Sequence, residues 1–164
     1  MKKIIYLVIS LSVLIGINSC TGYKPIFSST DLQLQIVDHS IKGNKKLGNK
    51  IYSQLYSVFK SDKNNPNNKT VSIIIELSKD KNPTVKNSTG KTLEYKIVLK
   101  TNIILKDFLT NSEILNYNVS SSSSYKVQDK YSETKKVEDQ VMNNLINKIY
   151  QDLLIKISEI ALTK

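Results

Sequence analysis

Apolar and polar residues alternate with a period of two through much of the chain, a pattern that predicts half-buried β-strands. The first strand starts at Asp31 and its alternation ends at Ile36, after which residues 38–44, including the single histidine His39, are predicted to form a turn. The remaining alternation predicts three more strands and their connections: strands at residues 71–77, 93–106 and 115–125, loops at residues 61–70 and 79–91, and a turn at residues 110–112.

Apolar residues recur every three to four positions in two other stretches, which predicts two amphipathic helices. The first covers residues 45–60, and its apolar stripe is Leu47, Ile51, Leu55 and Val58 or Phe59. The second covers residues 132–162, with Ser132 as its cap and Glu133 as a favourable acid in its first turn. Its stripe is Val137, Val141, Leu145, Ile149, Leu153, Ile157 and Ile160, broadened by Met142, Ile146 and Leu154.

The element order β-α-β-β-β-α predicts an α+β fold, a two-layer sandwich. We expect both amphipathic helices to pack on one face of a four-stranded mixed sheet, leaving the mixed polar face uncovered. A right-handed crossover should join the first two strands, and antiparallel hairpins should join the others. The five-serine run at residues 120–124 continues the alternation of the fourth strand, which favours a strand end over a linker.

The first nineteen residues have the pattern of a secretory signal peptide: Lys2 and Lys3, an uncharged apolar run, and a small residue before Cys20. The apolar run is shorter than a membrane-spanning helix requires, so a permanent transmembrane anchor is the weaker interpretation. The predicted organisation is therefore a cleaved signal at residues 1–19, a tether at residues 20–30 and a single α+β domain at residues 31–164.

The segment Ile17-Asn18-Ser19-Cys20 resembles the lipobox of bacterial lipoproteins. This resemblance implies that Cys20 carries a covalent lipid, including palmitate-like acyl chains that would hold the protein on a membrane. The alternative is an ordinary signal peptide followed by a stray thiol, which leaves an unpaired cysteine in an oxidising compartment. The resemblance to Gram-negative lipoproteins also implies the periplasmic face of the outer membrane, because Thr21 stands where inner-membrane lipoproteins have aspartate.

All 24 basic residues are lysines, and they give the chain a net charge of +10. A basic surface attracts anionic partners such as phospholipid or a phosphorylated glycolipid, whereas export argues against nucleic acid. The other interpretation of the charge is compositional bias, since a chain without arginine lacks the planar fork that binds phosphate bidentately.

Catalytic and metal-binding patterns are missing from the sequence. One histidine and one cysteine do not form a recognisable catalytic or zinc arrangement. Gly43 and Gly48 have the spacing of a phosphate-binding loop, but Asn49 and Lys50 stand where Lys and Ser or Thr are required. We therefore expect no enzymatic activity, no metal and no cofactor beyond the lipid on Cys20.

The segment Cys20-Thr21-Gly22-Tyr23-Lys24-Pro25-Ile26-Phe27 resembles the mature start of the LPS-assembly lipoprotein LptE family of alphaproteobacterial type. The order of elements is also similar, including a polar fourth strand that ends in Ser124-Tyr125 before a long helix. The resemblance implies a non-enzymatic lipoprotein that partners and plugs the outer-membrane β-barrel LptD, assists its assembly and binds lipopolysaccharide during its insertion into the outer leaflet.

Lysines around the predicted second-to-third strand loop and after the fourth strand are the candidate lipopolysaccharide contacts, with a merely solvated surface as the alternative. They are Lys79, Lys81, Lys86, Lys91, Lys126 and Lys130. The alternative function is a generic outer-membrane lipoprotein, either an accessory component of a lipid-transport ABC system or a periplasmic scaffold that contacts peptidoglycan synthases.

Overall fold

The protein has the predicted α+β architecture. A computed structural model describes residues 34–59 and 68–162, and the predicted signal peptide, Cys20 and the tether lie outside these ranges. The elements in chain order are β1 (Leu34–Gly43), α1 (Lys45–Val58), β2 (Lys69–Lys86), β3 (Thr92–Asp107), β4 (Glu113–Lys126) and α2 (Tyr131–Leu162).

The four strands form one mixed sheet in the order β1-β2-β3-β4. β1 and β2 are parallel, and the connection between them contains α1, whereas β3 pairs antiparallel with both β2 and β4. Ile73 pairs with Leu105, and Leu105 pairs with Leu115, so apolar side chains line up across three strands on one face. The predicted crossover from β1 to β2 and the antiparallel hairpins are confirmed as connections, while the predicted right-handedness of the crossover stays a prediction.

Both helices cover the apolar face of the sheet, and the core lies between the two layers. α1 contacts β1 and β2, while α2 lies against β4 and beside α1. The fully buried side chains come from both layers, and they include Ile51, Leu55, Ile73, Ile75, Ile97, Leu99, Ile103, Ile149 and Leu153. Over the described ranges, neither helix combines the length and the apolarity that a membrane crossing requires.

The predicted turn at residues 38–44 is wrong, because β1 continues to Gly43. A register shift between Ile36 and Asp38 breaks the alternation there, so the pattern reads as the end of a strand. His39 lies in this strand and stacks on Tyr52 of α1, with 4.0 Å between the ring centroids. The second half of β1, residues 38–43, therefore cannot be recognised from the alternation in the sequence.

The predicted loop at residues 79–91 is also wrong over most of its length, because β2 continues to Lys86 and pairs with β3. Only the connection at residues 87–91 lies between the two strands. The predicted loop at residues 61–70 is shorter than expected, since β2 already begins at Lys69; residues 60–67 lie outside the described ranges. The serine run is part of β4, as predicted.

Candidate functional site

The β2–β3 hairpin extends past the rest of the sheet. β1 ends where Gly43 pairs with Leu77, but β2 continues for nine more residues to Lys86, which adds roughly 30 Å of strand. We call this part of the molecule the distal end: residues 79–100 of the hairpin, residues 121–130 and the first turns of α2. The opposite end, where β1 begins and α2 finishes, is the proximal end.

A tight turn closes the hairpin at the distal end. The side-chain oxygen of Asn87 accepts hydrogen bonds from the backbone N–H groups of Thr89 at 3.1 Å and Lys91 at 2.8 Å. Gly90 has a φ of 82°, a conformation that favours glycine. The backbone N–H of Asn87 also donates to the Lys91 backbone carbonyl at 2.9 Å. Lys86 and Lys91 flank this turn, one on each strand side, at the end of the hairpin.

Glu138, in the second turn of α2, is the centre of a buried ionic cluster. Its carboxylate accepts hydrogen bonds from Lys79 Nζ at 3.0 Å and Lys81 Nζ at 2.8 Å, both from β2. The hydroxyl of Tyr125 on β4 donates to the same carboxylate at 3.0 Å. Lys135 Nζ lies 3.7 Å from the carboxylate, one turn earlier on α2. One side chain of α2 is thus tied to two strands of the sheet, and the residue is only 7% exposed.

Aromatic rings complete the surroundings of Lys81. Its ammonium lies 4.4 Å from the ring centroid of Tyr95 and 5.5 Å from that of Tyr125, both within the range of cation–π attraction. The two tyrosine rings are themselves in tilted contact, with centroids 6.0 Å apart. Lys81 therefore has an anionic partner and two aromatic neighbours within the molecule.

The electrostatics follow from this packing. Burial alone would raise the pKa of Glu138, but the hydrogen bonds from Lys81, Lys79 and Tyr125 outweigh it and lower the pKa to about 2. Burial likewise opposes the charge on Lys81, yet the hydrogen bonds to Glu138 and Tyr125 raise its pKa above the ordinary value. The carboxylate and the ammonium thus both stay charged at neutral pH.

The six lysines singled out from the sequence fall into two groups. Lys79 and Lys81 are drawn together in the ionic cluster. The other four lie on the surface of the distal end, and we call Lys86, Lys91, Lys126 and Lys130 the rim lysines. Lys130 is 3.6 Å from Glu133, but within the described ranges the other three have no acidic side chain within ion-pair distance.

The sheet face that carries no helix is polar and partly concave. A depression of about 640 Å³ lies on it, lined by residues that include Lys42, Glu76, Lys100, Asn102, Asn118 and Ser120. Lys42 and Glu76 form an ion pair of 2.9 Å at its border. The side-chain oxygen of Asn102 is buried and finds no hydrogen-bond partner among the described residues. We call this surface the open face.

Sequence reasoning missed Glu138. A signal was present, because Glu138 lies four residues before Met142 and eight before Ile146, on the broadened apolar stripe of the helix. An acid at such a position requires a cationic partner when the stripe packs on a sheet. No group of three metal-binding side chains occurs within the part of the chain that the structure describes.

Comparison with known proteins shows that this chain shares its fold with several solved structures. No protein-family model matches the chain, and the search of curated proteins found no significant relative. A protein of Caulobacter crescentus CB15 described as a lipoprotein superposes with a TM-score of 0.57 at 11% identity, covering 83% of this chain and 96% of its own.

Two further solved structures are similar. Rare lipoprotein B of Shewanella oneidensis has a TM-score of 0.54 at 13% identity, over 77% of this chain and 97% of its own. The uncharacterized lipoprotein B of Nitrosomonas europaea has a TM-score of 0.53 at 13% identity, over 82% and 88%. Identities this low establish fold and not activity. The chain therefore has the α+β fold of three bacterial lipoproteins.

Proposed function

We propose that the protein is an outer-membrane lipoprotein, anchored through Cys20 on the periplasmic face, that partners and plugs a barrel of the LptD type. Its role is non-enzymatic: it assists assembly of the barrel and handles lipopolysaccharide on the way to the outer leaflet. The open face is the observation that carries this proposal. The fold shared with three lipoproteins and the resemblance of residues 20–27 to the LptE family support it.

The open face suits the lumen of a barrel because it is long and polar. β3 has 16 residues and so spans roughly 50 Å, more than a membrane's hydrocarbon core of about 30 Å. Large barrels have polar interiors. The side chains that β3 and β4 present on this face are mostly amides, hydroxyls and amines: Lys96, Lys100, Asn102, Asn116, Asn118, Ser120, Ser122 and Ser124.

Asn102 adds a specific reason to expect a partner on this face. Its buried side-chain oxygen has no donor among the described residues, and a buried acceptor without a donor is costly. A polar group from a docked barrel would satisfy it. The depression beside Asn102 gives such a group room to enter.

The rim lysines supply the contact with lipopolysaccharide in this proposal. Lipopolysaccharide carries phosphates and acidic sugars, and ammonium groups form charge-assisted hydrogen bonds with them. Lys86, Lys91 and Lys126 are exposed and without acidic partners in the described ranges. Lys79 and Lys81 contribute less, because Glu138 already neutralises part of their charge.

Site-specific photo-crosslinking in the native host tests the partnership. A photoreactive residue at Asn118, on the open face, should capture a barrel of the LptD type, which should also co-purify with the tagged chain from mild detergent. Consistent absence of the barrel from both experiments would reject the proposal. Recovery of an ABC-transporter subunit or a peptidoglycan synthase instead would favour the alternative functions.

Two cellular measurements test the remaining parts. Depletion of the protein should lower surface lipopolysaccharide and the amount of folded barrel, and an unchanged surface would reject the assembly role. Cys20→Ala should abolish incorporation of radioactive palmitate. Label that persists in this variant would show that the lipid attachment is assigned to the wrong residue.

A further inference from the structure

The turn between β3 and β4 presents two adjacent apolar side chains to solvent. Leu109 is 83% exposed and Phe108 is 51% exposed. Single exposed apolar residues are ordinary on protein surfaces. Two neighbours at the tip of a hairpin are less easily explained, because neither packs into the core and a turn of this kind accepts polar residues equally well.

The turn is firmly built, so the two side chains are held outward. The Asp107 carboxylate accepts hydrogen bonds from the backbone N–H groups of Leu109 at 3.0 Å and Thr110 at 2.9 Å. The backbone N–H of Asn111 donates to the Asp107 backbone carbonyl at 2.9 Å, and Asn111 itself has a φ of 56°. The N–H of Thr110 and the other turn contacts lower the pKa of Asp107, which keeps its carboxylate charged.

This turn lies at the proximal end, beside the place where the chain enters the domain. The Phe108 amide donates to the Thr70 carbonyl at 3.0 Å, and Thr70 pairs with Gln35 of β1. Since neighbouring strands are about 4.8 Å apart, the backbone at Phe108 lies about 10 Å from that at Gln35. The fourteen residues from Cys20 to Gln33 cannot exceed about 50 Å even when fully extended.

We infer that Phe108 and Leu109 form a second membrane contact, which docks on the phospholipid bilayer that holds the lipid of Cys20. This inference rests on the proposed lipid anchor. Two apolar side chains bind a bilayer weakly by themselves, but the anchor makes their contact intramolecular and so greatly raises its probability.

A docked tip would fix the orientation of the whole domain. The strands run from the proximal to the distal end, so in the lipoprotein that has not yet entered a barrel a bilayer contact at Phe108 and Leu109 directs the rim lysines away from that bilayer surface. Attachment at the single point Cys20 does not by itself fix the orientation of the domain relative to the membrane. The turn would then determine which end of the sheet meets an incoming anionic glycolipid.

Tryptophan fluorescence on vesicles tests the contact, because the chain has no tryptophan and one cysteine. The mature chain beginning at Cys20 is coupled through that thiol to maleimide lipid in vesicles of phosphatidylcholine and phosphatidylethanolamine. Leu109→Trp reports on the tip, and Tyr131→Trp is the matched control, since Tyr131 is also 83% exposed but lies at the distal end. Brominated lipids in the same vesicles quench any tryptophan that enters the bilayer.

Quenching of Leu109→Trp should exceed that of Tyr131→Trp by about twofold or more, with a blue-shifted emission. Adding Phe108→Ser to Leu109→Trp should reduce the quenching. Equal quenching of the two single variants would overturn the inference. A second set of vesicles that also contains the barrel is the comparison, and quenching of Leu109→Trp in that set alone would overturn the inference too.

The first set of vesicles holds no barrel, and chemical coupling replaces cellular lipidation. Quenching in this set therefore does not depend on the outcome of the crosslinking test.

Discussion

The Glu138 carboxylate of α2 accepts a buried hydrogen bond of 3.0 Å from the Tyr125 hydroxyl of β4. This contact joins the last residues of the sheet to the first turns of the helix that covers it. Because Lys79 and Lys81 bind the same carboxylate from β2, three elements meet at one side chain. The cluster thus ties the distal end of the sheet, beyond the end of β1, to α2.

Glu138→Ala should lower the free energy of unfolding by about 2–3 kcal/mol, because it leaves two partly buried ammonium groups side by side without an anion. Glu138→Gln keeps the size of the side chain and an acceptor for Tyr125, so its loss should be smaller. Urea unfolding followed by circular dichroism measures both. Equal stability of the alanine variant and the parent would show that the cluster contributes nothing net.

The same cluster should make stability depend on pH under acid conditions. The pKa of Glu138 is lowered to about 2 in the folded protein from its ordinary value of 4.5. A depressed folded-state pKa contributes stability above the unfolded value, and this contribution disappears as pH falls toward the folded value. The difference in urea midpoint between the parent and Glu138→Gln should therefore shrink between about pH 4.5 and pH 2. A constant difference across that window would contradict the shift.

Two glycines with positive φ offer a matched test of close backbone approach. Gly43 has a φ of 76° and leads from β1 into α1, where a Cβ would collide with the Leu77 carbonyl oxygen. Gly90 has a φ of 82° but faces open space. Gly90→Ala should cost about 1 kcal/mol from backbone strain alone, whereas Gly43→Ala should cost about 3 kcal/mol or more. Thermal unfolding of both variants measures the difference, and equal losses would show that the collision is relieved cheaply.

The sequence correctly predicts the helices and strands that carry an apolar face. The prediction is wrong where a strand continues beyond its apolar face. Both helices and the parallel-then-antiparallel sheet follow from periodicity, because each apolar stripe is buried against the other layer. β2 beyond Ser78 is mostly exposed, most of its side chains are charged or polar, and no alternation marks it as a strand. Pro83 strengthens the false impression of a loop; a register shift next to it and the absence of β1 alongside make it tolerable.

The candidate site was predictable only in part for a related reason. Lysines near the end of a hairpin are visible in the sequence, but their partners are not. Lys79 and Lys81 face the helix layer because they are in register with Leu99 and Ile97, and only this register places them near Glu138. A partner fifty-nine residues away in the chain leaves no local pattern, since register across strands is a property of the assembled sheet.

Thr101→Val should stabilise the protein by about 1 kcal/mol. The hydroxyl of Thr101 is buried beneath the helix layer and has no hydrogen-bond partner among the described residues. An unsatisfied buried hydroxyl is unfavourable, and valine replaces it with a methyl group of similar size. Thr84→Val is the control, because the exposed Thr84 hydroxyl donates to Glu94 at 2.9 Å and its loss should bring no gain. A destabilised Thr101→Val would point to a partner outside the described ranges.

Reversing the charge of two rim lysines should weaken binding to lipopolysaccharide. Lys86 and Lys91 flank the Asn87 turn, so Lys86→Glu with Lys91→Glu places two carboxylates where the glycolipid phosphates would bind. We expect the affinity for lipopolysaccharide to fall about tenfold and to depend less on salt, because two charge-assisted contacts become repulsions.

Lys46→Glu with Lys148→Glu is the matched control: both lysines are exposed, neither belongs to the rim, and the change in net charge is the same. Binding of the mature chain to immobilised lipopolysaccharide at low and high salt separates the two double variants. An equal loss in both would show that the attraction is a property of the net charge, whereas a loss confined to Lys86 and Lys91 would place the contact at the distal end.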